Sequence, residues 1–346
     1  PQYAIIASCD VAAAMMEPPG GTALVEESIK EALDFRRAMR KVDKDFGRDW
    51  WFKVWGPDKL VAEGIGTREQ WMLGANEKWH GFGNLAPGFN LLDPIKSTIV
   101  TPGLDVAGKF AKTGIPASIV TKFLAEHGVV VEKTGLYSLF VMFTIGITKG
   151  RWNTLVTALQ QFKDDYDRNQ PMWRILPEFC AAHPTYERMG LRDLCQSIHE
   201  TYVKHDVARL VTEMYLSDLH PAMKPSDAFA RIAHRDTERV AIEELEGRIT
   251  TSLLTPYPPG IPLLIPGERF NKKIVDYLRF ARTFNAKYPG STRMCTVWSR
   301  TKTVPTTSIA CAPDRLWPNS TLEPLSRSRE PPWPPRSEPK PTAKPA

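Results

Sequence analysis

The sequence predicts an α+β protein built from a mixed helix-and-strand unit followed by a mostly helical one, and three observations carry that prediction. A long helical pattern at 22–42 is followed by short aromatic and β-branched runs of the kind that form strands. From Pro171 the pattern becomes largely helical. After Gly290 periodicity stops, and 11 of the 30 prolines fall in the last 56 residues among Ser, Thr and Arg, which predicts a disordered tail.

The elements follow in order. The opening PQYAIIASCDVAAAMM has no basic leader and no small-residue cleavage site, and reads as the interior of a fold whose chain continues upstream of Pro1. Pro18, Pro19, Gly20 and Gly21 read as a hinge. In the 22–42 helix Val25, Ile29, Leu33 and Met39 mark an apolar stripe. Acids cluster early (Glu26, Glu27) and bases late (Arg36, Arg37, Arg40, Lys41), matching the helix dipole. Strands are expected at 50–55, 97–101, 129–132 and 139–145, with a helix at 116–127 between the second and third. A helix at 151–166 puts Trp152, Leu155, Val156, Leu159 and Phe162 on one face, and the polar run 167–170 ends it at a domain boundary. Further helices are expected at 191–204, 226–233 and 272–287, interrupted by the proline-rich segment 256–266.

Composition narrows the function classes. At 346 residues, 42% hydrophobic and 10% aromatic, the chain buries real cores. The net charge is +6, but nine of the 45 Lys/Arg and four of the 39 Asp/Glu lie in 291–346, which leaves 36 against 35 before them. A nearly neutral body argues against nucleic acid as the partner. The longest apolar run, 136–147, is interrupted by Ser138, Thr144 and Gly146 and falls short of the roughly 18 residues a membrane span needs. The five cysteines form no CxxC pair, so neither a disulfide framework nor a zinc site is expected, and a reducing cytoplasm suits them. His199-Glu200 opens like a zinc-protease helix, but position 203 is Val, so the second histidine is missing. Cys180 and His183 have ligand-like spacing without a second pair.

Six strings in order carry a family resemblance: WHGF at 79–82, LDPIK at 92–96 with TPG at 101–103, GIPASIV at 114–120, EHGVVVEKTG at 126–135, EGRI at 246–249, and PYPPGIP at 256–262 followed by Pro266-Gly267-Glu268. Together they resemble the C-terminal half of the bacterial ornithine/lysine/arginine decarboxylases. The resemblance implies an aspartate-aminotransferase type fold, with α/β and α+β parts. Residues 1–21 would end the large cofactor-binding domain. Residues 22–168 would be a small α+β domain with a mainly antiparallel sheet, and 169–290 the mostly helical C-terminal domain. It implies pyridoxal phosphate as cofactor, a basic amino acid as substrate with lysine ahead of arginine and ornithine, and homodimers that assemble further. No catalytic residue is expected in this chain. The family's cofactor lysine follows a Ser-x-His-Lys pattern that is absent here, and Lys96 and Lys133 match other family positions. The chain alone is therefore expected to be inactive, or to persist as an assembly module that pairs with intact subunits.

At the substrate end, Glu132 is singled out as the acceptor for a side-chain ammonium, which needs a charge-assisted partner once desolvated. The other reading pairs Glu132 with Lys133 or Lys122 at a strand end. Trp79 and His80 either wall the active-site entrance or form a packed turn, and Asp93 with Lys96 reads as a local cap or bridge. Residues 291–313 depart from the family's ending. They read either as the product of a one-base deletion near Gly290, with which the single codons of Met294 and Trp298 comply, or as a Pro/Arg-rich tail offering 331–336 as a polyproline ligand.

Overall fold

Two helices open the chain, α1 (Tyr3–Met15) and α2 (Gly20–Phe46), separated by a cis Pro18–Pro19 bond. The structure is a computed structural model that describes residues 2–57, 71–256 and 260–291, together with the backbone strands 295–296 and 307–311. In α1 the apolar residues are not buried, and Ile5, Ile6, Val11 and Met15 lie exposed. The break expected at 18–21 is confined to the residues before Gly20, because both glycines join α2. A Cβ on Gly21 would fall 2.1 Å from the Met16 carbonyl oxygen, so this tight reversal needs a glycine there. The inward face of α2 is Ser28, Ala32, Leu33, Phe35, Arg36 and Met39, while Val25 points to solvent. The stripe is thus rotated from the one predicted, toward the sheet that forms later in the chain.

That sheet has four antiparallel strands, β1 (Lys53–Val54), β2 (Lys96–Val100), β3 (Lys133–Thr134) and β4 (Ser138–Met142), in the order β1-β2-β4-β3. Alternation sets its faces: Ser97 and Ile99 of β2 are buried, and Ile99 stands opposite Leu139 of β4. Residues 129–132 do not form the expected strand. Helix α3 (Ala117–Glu126) ends just before them, Gly128 turns the chain at φ +76°, and Val129 donates back to the Leu124 carbonyl at 2.8 Å. These residues are used in returning from helix to sheet, and pairing starts only with the Glu132 amide on the Phe140 oxygen, 2.9 Å.

Helix α3 and helix α4 (Lys149–Asp167) cover the sheet with the help of α2. Phe162 of α4 sits at the centre, its ring 5.3 Å from Phe123 and 5.9 Å from Phe52, both edge-on. The chain continues through α5 (Met172–Ile175), α6 (Pro177–Ala182), α7 (Leu191–Lys204), α8 (Val207–Leu216) and α9 (Pro225–Ala233), and closes with α10 (Lys272–Lys287). Helix α4 does end in the polar run 167–170, but the core does not. One buried cluster runs from Phe35 and Phe162 through Leu194, Ile198 and Tyr202 to Phe284, across that run. The connector is pinned as well. Asn169, left-handed at φ +48°, accepts the Arg192 amide on Oδ1 at 2.9 Å and donates Nδ2 to Asp193 at 2.9 Å, at the start of α7.

In the second half β5 (Thr237–Ala241) pairs with β8 (Thr307–Cys311), and β6 (Thr255–Pro256) with β7 (Cys295–Thr296). Two strands therefore stand within the stretch expected to be disordered, and the rest of that stretch, including 331–336, lies outside the described residues. In the proline-rich segment, 257–259 also lie outside them; Leu263 and Leu264 beyond are buried against Leu254. Among the described residues no helix is long and apolar enough to cross a membrane.

Candidate substrate pocket at Glu132

The loop after α3, the far end of β4 and the first turns of α4 line an open cavity of about 560 Å³. Its walls are mainly apolar, with Val129, Val141, Met142, Phe143, Ile147 and Leu155, and two charged residues line it, Glu132 and Arg151. Trp152 also lines it, with its indole nitrogen tied away to Glu31 of α2 at 2.5 Å. Phe143 is held by its amide on the Ile95 carbonyl, 2.9 Å, so the wall is fixed to the edge of β2.

Glu132 is exposed, and its carboxylate has no ion pair or side-chain hydrogen bond among the described residues. The alternative reading, pairing with Lys133 or Lys122, is not realised there; Lys122 instead places its ammonium 5.0 Å above the Phe179 ring. An unpaired carboxylate beside an apolar cavity is suited to a charge-assisted hydrogen bond from a cation that carries its own apolar stem. Arg151 went unnoticed in the sequence. Nothing in its surroundings along the chain distinguishes it from any helix-start arginine, and only the fold brings it into one cavity lining with Glu132.

Trp79 and His80 are not among the residues lining this cavity. They form a packed turn: the Trp55 indole donates to the Trp79 carbonyl at 3.1 Å, and the Trp55 and Trp79 rings lie 4.7 Å apart. His80 accepts the Phe82 amide on Nδ1 at 2.9 Å, which leaves the proton on Nε2 to donate to the Gly74 carbonyl at 2.8 Å. Replacing His80 by Ala removes both bonds and is expected to cost about 1–3 kcal/mol in urea unfolding. KM for a basic amino acid should stay unchanged; a shift in KM would return these residues to the site.

The remaining candidates are local. The Asp93 carboxylate accepts the Ile95 amide at 3.2 Å and lies 3.4 Å from Lys96, both half exposed. Cys180 is buried, and among the described residues no three His, Cys, Asp or Glu side chains converge on a metal position. Neither the Glu132 cavity nor the buried Lys163 offers an amine free to carry pyridoxal phosphate. The Glu132 cavity contains no lysine, and the buried Lys163 is occupied by Asp167 and by the Trp51 ring, 4.4 Å below its ammonium. No step of the cofactor's chemistry is assigned to them.

Comparison with known proteins identifies the family. The model for the major domain of Orn/Lys/Arg decarboxylases matches residues 1–151, and the model for their C-terminal domain matches 208–296. A lysine decarboxylase of Pseudomonas aeruginosa is 50% identical over 296 residues, covering 84% of this chain and 39% of that protein. The inducible lysine decarboxylase of Escherichia coli is 39% identical over 294 residues (84% and 40%), and the biodegradative arginine decarboxylase of the same organism 36% over 311 (84% and 41%). Among solved structures, lysine decarboxylase A from Pseudomonas aeruginosa superposes with a TM-score of 0.81 at 46% identity, over 90% of this chain and 43% of its own. The constitutive lysine decarboxylase of E. coli gives 0.80 at 34%, over 90% and 44%. The chain thus spans about 40% of the length of the curated relatives it matches.

Proposed function

Because this chain belongs to the Orn/Lys/Arg decarboxylase family, we propose that it supplies the side-chain-binding part of a decarboxylase of basic amino acids, with lysine favoured over arginine and ornithine. The observation that carries the reading is the carboxylate of Glu132, unpaired among the described residues, at the rim of an apolar cavity. Lysine presents four methylenes and a terminal ammonium, and the cavity offers apolar wall for the first and a carboxylate for the second. Glu132 alone does not reject arginine, whose guanidinium also seeks a carboxylate. Ornithine lacks one methylene, about 0.8 kcal/mol of burial, so discrimination against it is a matter of a few-fold.

Decarboxylation needs an electron sink, which pyridoxal phosphate supplies when bound. We assign its binding, including the lysine that carries it, to the part of the family's length that this chain does not span. The chain by itself is accordingly inactive, and the assembled enzyme is a dimer or larger, placed in the cytoplasm. A second reading, a non-catalytic module that pairs with intact subunits, is favoured by the exposed apolar residues of α1, a surface that calls for cover.

Joining this chain to the remaining family region, adding pyridoxal phosphate and following CO2 release from lysine, arginine and ornithine separately tests the proposal. Release is expected from all three with the highest kcat/KM for lysine, and none from the chain alone. A loaded enzyme that releases nothing from any of them would overturn it.

A further inference from the structure

The hairpin that carries Glu132 is held at its other end from a distant part of the chain. Between β3 and β4 the Gly135 amide donates to the Ser138 carbonyl at 2.7 Å, and Tyr137 at this turn is buried. Its hydroxyl meets Nδ1 of His199, in α7, at 2.5 Å. The other ring nitrogen of His199 lies 3.0 Å from the Ala111 carbonyl oxygen. A carbonyl can only accept, so Nε2 carries the proton, and Nδ1 is left as the acceptor for the phenol. Burial, reinforced by Tyr202 and Cys195, holds the Tyr137 phenol far above its usual range, so it keeps the proton it can donate.

No slack surrounds the pair. A Cβ on Gly103 would fall 2.2 Å from the Tyr137 ring, and one on Gly114 2.2 Å from His199 Nδ1. The main chain beside Tyr137 is fixed as well: the Leu136 carbonyl accepts the Ala117 amide at 2.9 Å, and the Tyr137 carbonyl accepts the Thr101 amide at 2.9 Å. Strand β4 begins at the next residue. It is this strand that holds the Glu132 amide, through the Phe140 carbonyl, and that contributes Val141 and Met142 to the cavity wall. Glu132 and the wall that faces it therefore inherit their position from an anchor about five residues away, within some 17 Å of extended chain.

We propose that Tyr137 and His199 are positioning residues for the ammonium site: His199 anchors Tyr137, and through β4 this sets where the Glu132 carboxylate stands. The proposal rests on the reading of Glu132 given above. Neither residue reaches the cavity, and a hydrogen-bonded pair suits the task better than an apolar one, because its direction specifies one arrangement.

The test uses Tyr137→Phe, His199→Phe and His199→Gln in the assembled, cofactor-loaded decarboxylase. Glutamine offers both an acceptor and a donor, so it can restore the two bonds. The two phenylalanine variants are expected to raise KM for lysine about fivefold, the worth of one hydrogen bond, with kcat within about twofold, and His199→Gln to recover most of that rise. In a Glu132→Gln background Tyr137→Phe should add nothing, because both changes act on one interaction. If Glu132→Gln raises KM but the phenylalanine variants lower only thermal stability, the positioning role is overturned while the reading of Glu132 stands. If Glu132→Gln leaves KM unchanged, the ammonium reading itself falls. Hydrogen exchange across 130–142 in this chain checks the anchor independently: faster exchange in both phenylalanine variants and near-native exchange in His199→Gln supports it, and unchanged exchange overturns it.

Discussion

Replacing Glu132 by Gln in the assembled decarboxylase is expected to raise KM for lysine roughly 10- to 100-fold while leaving kcat far less affected. The size follows from the interaction lost. A hydrogen bond to a charged group contributes about 1.5–3 kcal/mol, and each 1.4 kcal/mol is a factor of ten. The split between the constants follows from location: the ammonium end of the substrate is remote from the bond that breaks, so its partner contributes to binding before and during the reaction alike. Glu132→Asp keeps the charge but shortens the reach, and should fall between the two. Initial rates over a range of lysine concentrations decide the matter, and a KM unchanged in Glu132→Gln would remove this residue from the site.

The largest effect on stability is expected from Phe162→Ala. Phe162 is fully buried, with its ring edge-on to Phe52 and Phe123 and stacked on Tyr166 at 6.4 Å. Removing it empties a space bordered by three rings, Phe123 on α3, Phe52 just before β1 and Tyr166 one turn further along α4, so collapse is only partial and the cost should reach about 3–5 kcal/mol. Urea unfolding of this chain should show a lower midpoint. A loss below about 1 kcal/mol would mean that these rings are far looser than their packing implies. The same helix carries Trp152 and Leu155 into the Glu132 cavity, so the damage should extend to substrate binding.

How much of this was legible in the sequence depends on how local the determining contacts are. Helices α7 and α10 end where their apolar period ends, since a strong 3.6-residue pattern contains its own boundaries. Residues 129–132 have the β-branched content of a strand yet serve as a return loop, because the sheet partner that would pair them is taken up only from Glu132 onward. The buried face of α2 includes Arg36, which no apolar stripe would contain. Its guanidinium donates to the Trp55 and Lys96 carbonyls at 3.0 and 2.9 Å, and burial lowers its pKa to about 10, still charged at neutral pH. Glu132 could be singled out only through family resemblance, since a glutamate beside a lysine looks like any other surface pair. Arg151 and the Tyr137–His199 pair gave no signal, because their meaning depends on partners that the fold brings together from 19 and 62 residues away.

The pinned connector at Asn169 also bears on how such proteins can be recombined. A crossover between two relatives at residue 169 would follow the end of a helix and look harmless in an alignment. It would nevertheless set α4 of one lineage against α7 of another, and the buried Leu159, Leu194 and Ile198 would have to fit partners they did not evolve beside. Substitutions on one side of that joint are therefore expected to need matching ones on the other.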